Sequence, residues 1–298
     1  MFRTLLTSVI TISAPDITSG STATISITLS DGATGNVELY INTNEYYEKK
    51  AITTPGSISF TVTGLTTGTK SVLVNYLGDN TYTSGNNTTS FEVSKPKVTN
   101  FTTRWAKTTY PNTYSSMTQV PQEGMDYLNS VKPDRLVSLF DGCNSLTSVD
   151  VTNMDVSECV NLRYIFDYCK ALISLDLSTW DTSKVTFMES MFLGCTNLQI
   201  IDLSGWDTTS VTASDAMEYM FSNCTNLQYL ILGDADHIFN MIDSGCGSLN
   251  NTCKILVPQS VLNTYKAATN WSLRASQFDA IENYTITRSN GQVTVTPN

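Results

Sequence analysis

Phenylalanine returns at a fixed interval through the second half of the chain, and that interval constrains the fold more than any other feature. Phe140, Phe166 and Phe192 are each 26 residues apart, and Phe221 follows 29 later. Three positions after each stands Cys143, Cys169, Cys195 or Cys224, and three further on Leu146, Leu172, Leu198 or Leu227. Then come the triplets VDV, LDL, IDL and LIL, ending at Val151, Leu177, Leu203 and Leu232. Trp180 and Trp206 share one register, and Asp155, Asp181 and Asp207 share the next. A period of about 20–50 residues marks stacked units, none of which buries its apolar edge alone.

The Leu-x-x-Leu-x-Leu spacing predicts a leucine-rich solenoid with one short parallel strand per turn. Because side chains alternate along a strand, Leu175 and Leu177 should point inward and Asp176 outward. Met188, Met191 and Phe192 fall at helical spacing and should fill the opposite wall, with Asp181 and Ser183 capping a helix. Residues 101–131, with Trp105, read as an N-terminal cap, and a helix near 261–268 as the C-terminal one. The last full repeat carries about three extra residues near 213–215, and residues 233–251 are irregular.

The first half is different in kind. Apolar and polar residues alternate there with period 2, interrupted by turn residues. Strands are predicted at 8–14, 22–30, 36–41, 57–63, 70–76 and 89–94, with turns at Asp31-Gly32, Pro55-Gly56, Thr67-Gly68 and Gly78-Asp79-Asn80. The division that results is 1–95 for a β-sandwich, 96–135 for a linker and solenoid cap, 136–256 for the repeats and 257–298 for a helical cap and β tail.

Two resemblances follow from these residues. APDITSGSTATISITLSDGATGNVELYIN and GLTTGTKSVLVNYLGDNTYTSG resemble the Ig-like repeats of bacterial and archaeal surface adhesins. LDLSTWDTSKVTFMESMFLGCTNL and IDLSGWDTTSV resemble BspA-type leucine-rich repeats of bacterial surface proteins. CKILVPQSVLNTYKAATNWSLRASQF resembles the helix that closes such arrays. The fold class implied is multidomain: an all-β Ig-like sandwich, a leucine-rich-repeat solenoid of parallel strands with short helical segments, and a helical C-terminal cap. The function implied is surface display and adhesion, without a shared active site.

Composition excludes several alternatives. The chain has 17 basic and 27 acidic side chains, a net charge of −10, and no basic run, so a phosphate backbone is repelled. Only 15% of residues are charged, against about 25% in ordinary soluble proteins. Thr, Ser and Asn supply the polarity instead: 21 of the first 100 residues are threonine. No stretch reaches the roughly 18 apolar residues of a membrane span, and no clear signal peptide or anchor is read. One histidine, His237, rules out multi-histidine metal sites.

The seven cysteines read as buried thiols rather than metal ligands, since the repeat places one per turn among apolar neighbours and not in C-x-x-C pairs. Cys159 takes the slot that Val185 fills in the next repeat. Cys246–Cys253 is the pair best placed for a disulfide. No cofactor and no metal are expected.

Asp150, Asp176 and Asp202 form a carboxylate ladder on what should be the exposed face of the sheet. Neighbouring turns lie about 4.8 Å apart, so adjacent charges repel by about 0.9 kcal/mol in water. With Ser148, Ser174, Ile200 and Tyr229 these residues make the candidate binding face. The expected function is non-enzymatic recognition or adhesion, displayed outside the cell. One setting is a phage virion fibre or decoration component that binds host surface or glycans. The other is a secreted bacterial or archaeal surface adhesin, whole or in part. Partners are a host or cell-surface glycan or protein, and other virion or surface proteins through the first module. Nucleic acid and membrane insertion are not expected. The tail TITRSNGQVTVTPN reads as a hairpin about Asn290-Gly291, pairing within its own chain or with a second copy.

Overall fold

A computed structural model describes residues 4–99, 101–102, 104–233, 249 and 251–298. The chain divides into two units, Met1–Pro96 and Lys97–Asn298.

In the first unit, period-2 alternation builds two sheets around one core. Its strands are β1 (Ile10–Ser13), β2 (Ile17–Thr18), β3 (Ala23–Leu29), β4 (Asn36–Ile41), β5 (Tyr46–Ala51), β6 (Ser57–Val62), β7 (Gly68–Tyr76) and β8 (Gly85–Ser94). One sheet runs β1-β3-β6 and the other β2-β8-β7-β4-β5. Along β3, Ala23, Ile25, Ile27 and Leu29 are buried while Thr24, Ser26 and Thr28 are exposed. They meet Val37, Leu39, Val72 and Val74 of the other sheet in one apolar cluster. The six predicted strands form, with ends shifted by a few residues. The sequence reading overlooked β5, YYEKKA, because it is an edge strand with no fully buried position. Charges such as Glu48, Lys49 and Lys50 are what keep a free edge from pairing with other chains.

The second unit starts with a short parallel pair, β9 (Lys97–Val98) and β10 (Lys132–Pro133). Between them lie α1 (Trp105–Thr109) and α2 (Gln122–Ser130). The 26-residue repeats then stack so that like side chains fall on like. Rings of Phe140, Phe166, Phe192 and Phe221 pile face to face, with centroids 5.4, 5.8 and 5.5 Å apart. Trp105 meets Phe140 edge-on at 6.2 Å and closes that end of the pile. Trp180 and Trp206 stack at 6.4 Å, and each indole N–H donates to a carbonyl one turn back, Val151 and Leu177, at 2.9 Å.

The thiols form a ladder of the same kind. Cys169, Cys195 and Cys224 donate to the Phe140, Phe166 and Phe192 carbonyls at 3.0–3.1 Å. All six described cysteines are buried and free, and Cys253 is among them; Cys246, the residue best placed to pair with it, lies outside the described residues. Burial pushes the Cys224 and Cys253 thiols up to about 12.

The helical wall predicted opposite the strands does not form. Met188, Met191 and Phe192 are buried as expected, but their backbone is a chain of turns. Ser138, Tyr164, Ser190 and Tyr219 have left-handed φ of 54–59°, and Gly142, Tyr168, Gly194 and Asn223, four positions on, do too. A left-handed residue at every fourth position interrupts any right-handed helix. Alternate N–H groups instead cross to the next turn: Tyr164 donates to Glu189, Phe166 to Met191 and Tyr168 to Leu193, at 2.7–3.0 Å. Asp181 accepts from the Ser183 N–H and hydroxyl, as expected of a cap, but it closes a turn with no helix behind it. The extra residues near 213–215 are absorbed in an exposed turn, and the stacking register resumes where Met188 donates to Ala216.

Strands appear only in the later repeats. β11 (Ser174–Asp176), β12 (Ile200–Leu203), β13 (Tyr229–Leu232), β14 (Lys254–Val257) and β15 (Phe278–Ala280) form a parallel sheet in chain order. The VDV triplet at 149–151 is not a strand. The end of the array is closed by β15 and by an aromatic plug of Tyr265, Trp271 and Phe278, with centroids 5.3–6.3 Å apart. The helix there, α3 (Leu262–Ala267), has six residues. Hence the expected fold class is corrected. The molecule is a set of β-sheets with few helices, and neither a clear leucine-rich solenoid nor a helical cap is formed.

Candidate functional site

The expected face does assemble, but it is not open. Register places Asp176, Asp202, Ile231, Leu256 and Asp279 in one outward column, and Ser174, Ile200, Tyr229 and Lys254 in the next. Ser174 and Asp176 are each 4% exposed and Asp202 is 0% exposed. The cover is the C-terminal hairpin, β16 (Tyr284–Ser289) and β17 (Gln292–Pro297), joined through Asn290 and Gly291, both at positive φ. That is the geometry an Asn-Gly hairpin turn requires.

The hairpin is fastened along the whole column. Val293 packs on Ile231 and Leu256. Tyr284 meets Tyr229 edge-on at 5.8 Å. The Val293 N–H donates to Ser174 Oγ at 3.2 Å. Arg288 grips Asp202 Oδ2 through Nε at 2.7 Å and Nη2 at 2.6 Å. At the tip, the Gly291 carbonyl accepts the Asp176 N–H at 2.9 Å. The neighbouring Leu177 N–H points to Asp202 in the next turn, so Gly291 takes the position that a strand from the first repeat would otherwise hold. This explains why VDV stays irregular.

The carboxylate ladder therefore serves the fold. Asp150 and Asp176 each accept, through Oδ1, the backbone N–H and hydroxyl of the residue two positions on, Thr152 and Ser178. Asp202 accepts the Ser204 N–H at 2.9 Å. Ser148 and Asp150 remain partly open, lining a small hollow of about 210 Å³ with Asn290. The face expected to be exposed is thus an internal interface. The sequence carried a signal of this in LIL at 230–232 and ILV at 255–257, where the outward centre turns apolar. Parallel strands covered on both faces read as continuous apolar runs.

A more open site lies at the start of the second unit. Rings of Phe101, Trp105, Tyr110 and Tyr127 line a hollow of about 360 Å³, with Glu123 and Thr108 at its wall. Trp105 and Tyr110 meet edge to face at 5.7 Å, while Phe101 and Tyr127 stack at 6.3 Å. Tyr127 is 45% exposed. Glu123 and Tyr127 are four apart on α2, so they project on one side of it. Gly124 is needed between them: a Cβ there would sit 2.4 Å from the Tyr110 hydroxyl and 3.0 Å from the Trp105 ring. Burial, and then the Glu123 charge, push the Tyr110 phenol up. The sequence reading took these aromatics for cap packing alone.

Residues 134–242 match the family model described as Mycoplasma protein of unknown function, DUF285. No curated protein matches the chain. The matched segment is the repeat array, a little over a third of the chain, and the model assigns it no activity. The resemblances to Ig-like modules and to BspA-type repeats are corrected by this result: the match that the repeats return is DUF285, and no Ig-like match covers the first unit. Leucine spacing reports a stacked period, and that period alone does not separate one repeat family from another.

Within the matched segment the structure brings together a second carboxylate pair that the sequence pattern does not reveal. Asp141 and Asp167 each follow a ladder phenylalanine and fall one repeat apart. Arg104 Nε lies 3.3 Å from Asp141, whereas Asp167 Oδ1 is buried without a hydrogen-bond partner. Burial, and then the Asp141 charge, push Asp167 up to about 7. Between pH 4 and 7 the folded chain keeps a proton there that the unfolded chain has lost, so this group costs stability as pH rises through that window. Discounted for partial exposure to solvent, the penalty is about 1 kcal/mol. Asp167→Asn should therefore raise Tm by about 2–4 °C at pH 8 and leave it unchanged at pH 4. Scanning calorimetry at the two values checks this, and an equal shift at both would reject it.

His237 and Cys246 lie outside the described residues. Among the described residues, no three His, Cys, Asp or Glu side chains cluster as a metal site would need.

Proposed function

We propose that the chain is a non-enzymatic recognition protein, displayed on a virion or cell surface, that meets its ligand at the aromatic hollow. The observation that carries the reading is the hollow itself: four aromatic rings and one carboxylate around about 360 Å³. Ligand sites are concave, mostly apolar and marked by a few placed polar groups. The stacked repeats supply a stiff mount, because every turn is joined to the next by backbone, ring and thiol contacts. Polarity from Thr, Ser and Asn rather than charge suits a face that contacts another surface without strong field effects.

A glycan and cell-surface array probed with the wild-type chain and with Tyr127→Ala tests the reading. Tyr127 is half exposed, so its removal should leave the melting temperature within about 2 °C and reduce retained signal about tenfold. A profile unaltered by Tyr127→Ala would show that the hollow is not the contact site.

A further inference from the structure

We infer that the aromatic hollow takes a quaternary ammonium group, of the kind carried by choline. This rests on the hollow being the contact site and adds the chemical class of what enters it. It is lined by four aromatic side chains, Phe101, Trp105, Tyr110 and Tyr127, with Tyr127 the most open of them, and by one carboxylate, Glu123. Ring faces carry negative quadrupole potential and attract a cation within about 6 Å of the centroid, tryptophan most strongly. Among the described residues no lysine or arginine lines the hollow, and the chain's net charge of −10 adds attraction at longer range.

The polar groups also favour a quaternary cation over a primary ammonium. A lysine-type head brings three N–H donors, each of which loses hydrogen bonds to water on entry. The Thr108 hydroxyl donates to the Arg104 and Trp105 carbonyls, so its oxygen can still accept. Glu123 is the one carboxylate on offer, and the other side-chain acceptors lining the hollow are neutral hydroxyls. A tetraalkyl head has no N–H to satisfy and presents methyl groups to the rings. Volume fits as well, since about 360 Å³ lies at the low end of the range for small-ligand sites.

Calorimetric titration of the full chain with choline, with its neutral isostere 3,3-dimethylbutan-1-ol and with methyl glucoside tests the assignment. Choline should bind saturably, and the isostere about tenfold more weakly. Glu123→Gln should weaken choline and leave the isostere unchanged, while Tyr127→Ala should weaken both. Circular dichroism and melting of each variant separate lost binding from lost fold. Equal binding of choline and isostere would show an apolar hollow without cation selectivity, and overturns the inference. So does binding of methyl glucoside in place of choline, although the recognition reading survives that outcome. Absence of choline binding by the folded wild type overturns the inference too. The array signal and its dependence on Tyr127 then decide the recognition reading independently.

Discussion

Arg288→Ala should destabilise the second unit by about 3 kcal/mol, near the lower end of the range for removing one partner of a buried ion pair. Asp202 is 0% exposed and its Oδ2 accepts two guanidinium contacts, while Arg288 keeps 38% of its side chain in solvent. Removing the arginine leaves a carboxylate sealed between the sheet and the hairpin, with only the Ser204 N–H on its other oxygen. The double variant Asp202→Ile with Arg288→Leu is the informative contrast. It extends the apolar column already present at Ile231 and Leu256, and replacing both partners by packed apolar groups is often neutral. Urea unfolding should therefore place the double variant within about 1 kcal/mol of wild type and well above Arg288→Ala. If Arg288→Ala unfolds at the wild-type midpoint, the pair does not fasten the hairpin. The result also bears on binding: with the hairpin in place, Asp176 and Asp202 are unavailable to any partner.

Much of this arrangement was legible in the residues, and the reasons it was partly misread are specific. Alternation along β3 and β4 is unambiguous because one face of each is uniformly apolar. The repeat was legible because the ladders need identical side chains at identical register. The Asn290-Gly291 turn was legible because few residue pairs tolerate two positive φ angles in succession. The absence of a helical wall in the repeats was not, since Ser138, Tyr164, Ser190 and Tyr219 adopt left-handed backbone without being residues that favour it. Their conformation is set by the bonds to the next turn, a tertiary cause with no local signature. The cover over the sheet was hidden in a different way. Asp150, Asp176 and Asp202 look solvated when read by themselves, and their partner Arg288 is 86 positions from Asp202. The hollow was read as packing because Phe101, Trp105, Tyr110 and Tyr127 do also pack, and nothing in their spacing says that room is left between them.

Phe192→Ala should cost about 3–5 kcal/mol, as large-to-small changes in a closed core do, and its effect should be local before it is global. Phe192 is fully buried, with Phe166 stacked on one side and Phe221 on the other. Its removal breaks two of the three steps in the pile, and each such ring pair adds about 0.5–1.5 kcal/mol beyond burial. Phe192→Leu, which keeps much of the volume, should cost nearer 1–2 kcal/mol. In a stacked array each turn contacts only its neighbours, so weakening one step lowers protection where the chain crosses it. The amides to watch are Phe166, which donates to Met191, and Phe192, which donates to Met220. Hydrogen exchange at both should accelerate in Phe192→Ala. Ile25 of the first unit, whose core contains no residue of the pile, should exchange as in wild type. Equal costs for the alanine and leucine variants would mean that the volume leucine keeps contributes nothing and that the whole loss lies in the missing ring, which would overturn the cavity argument.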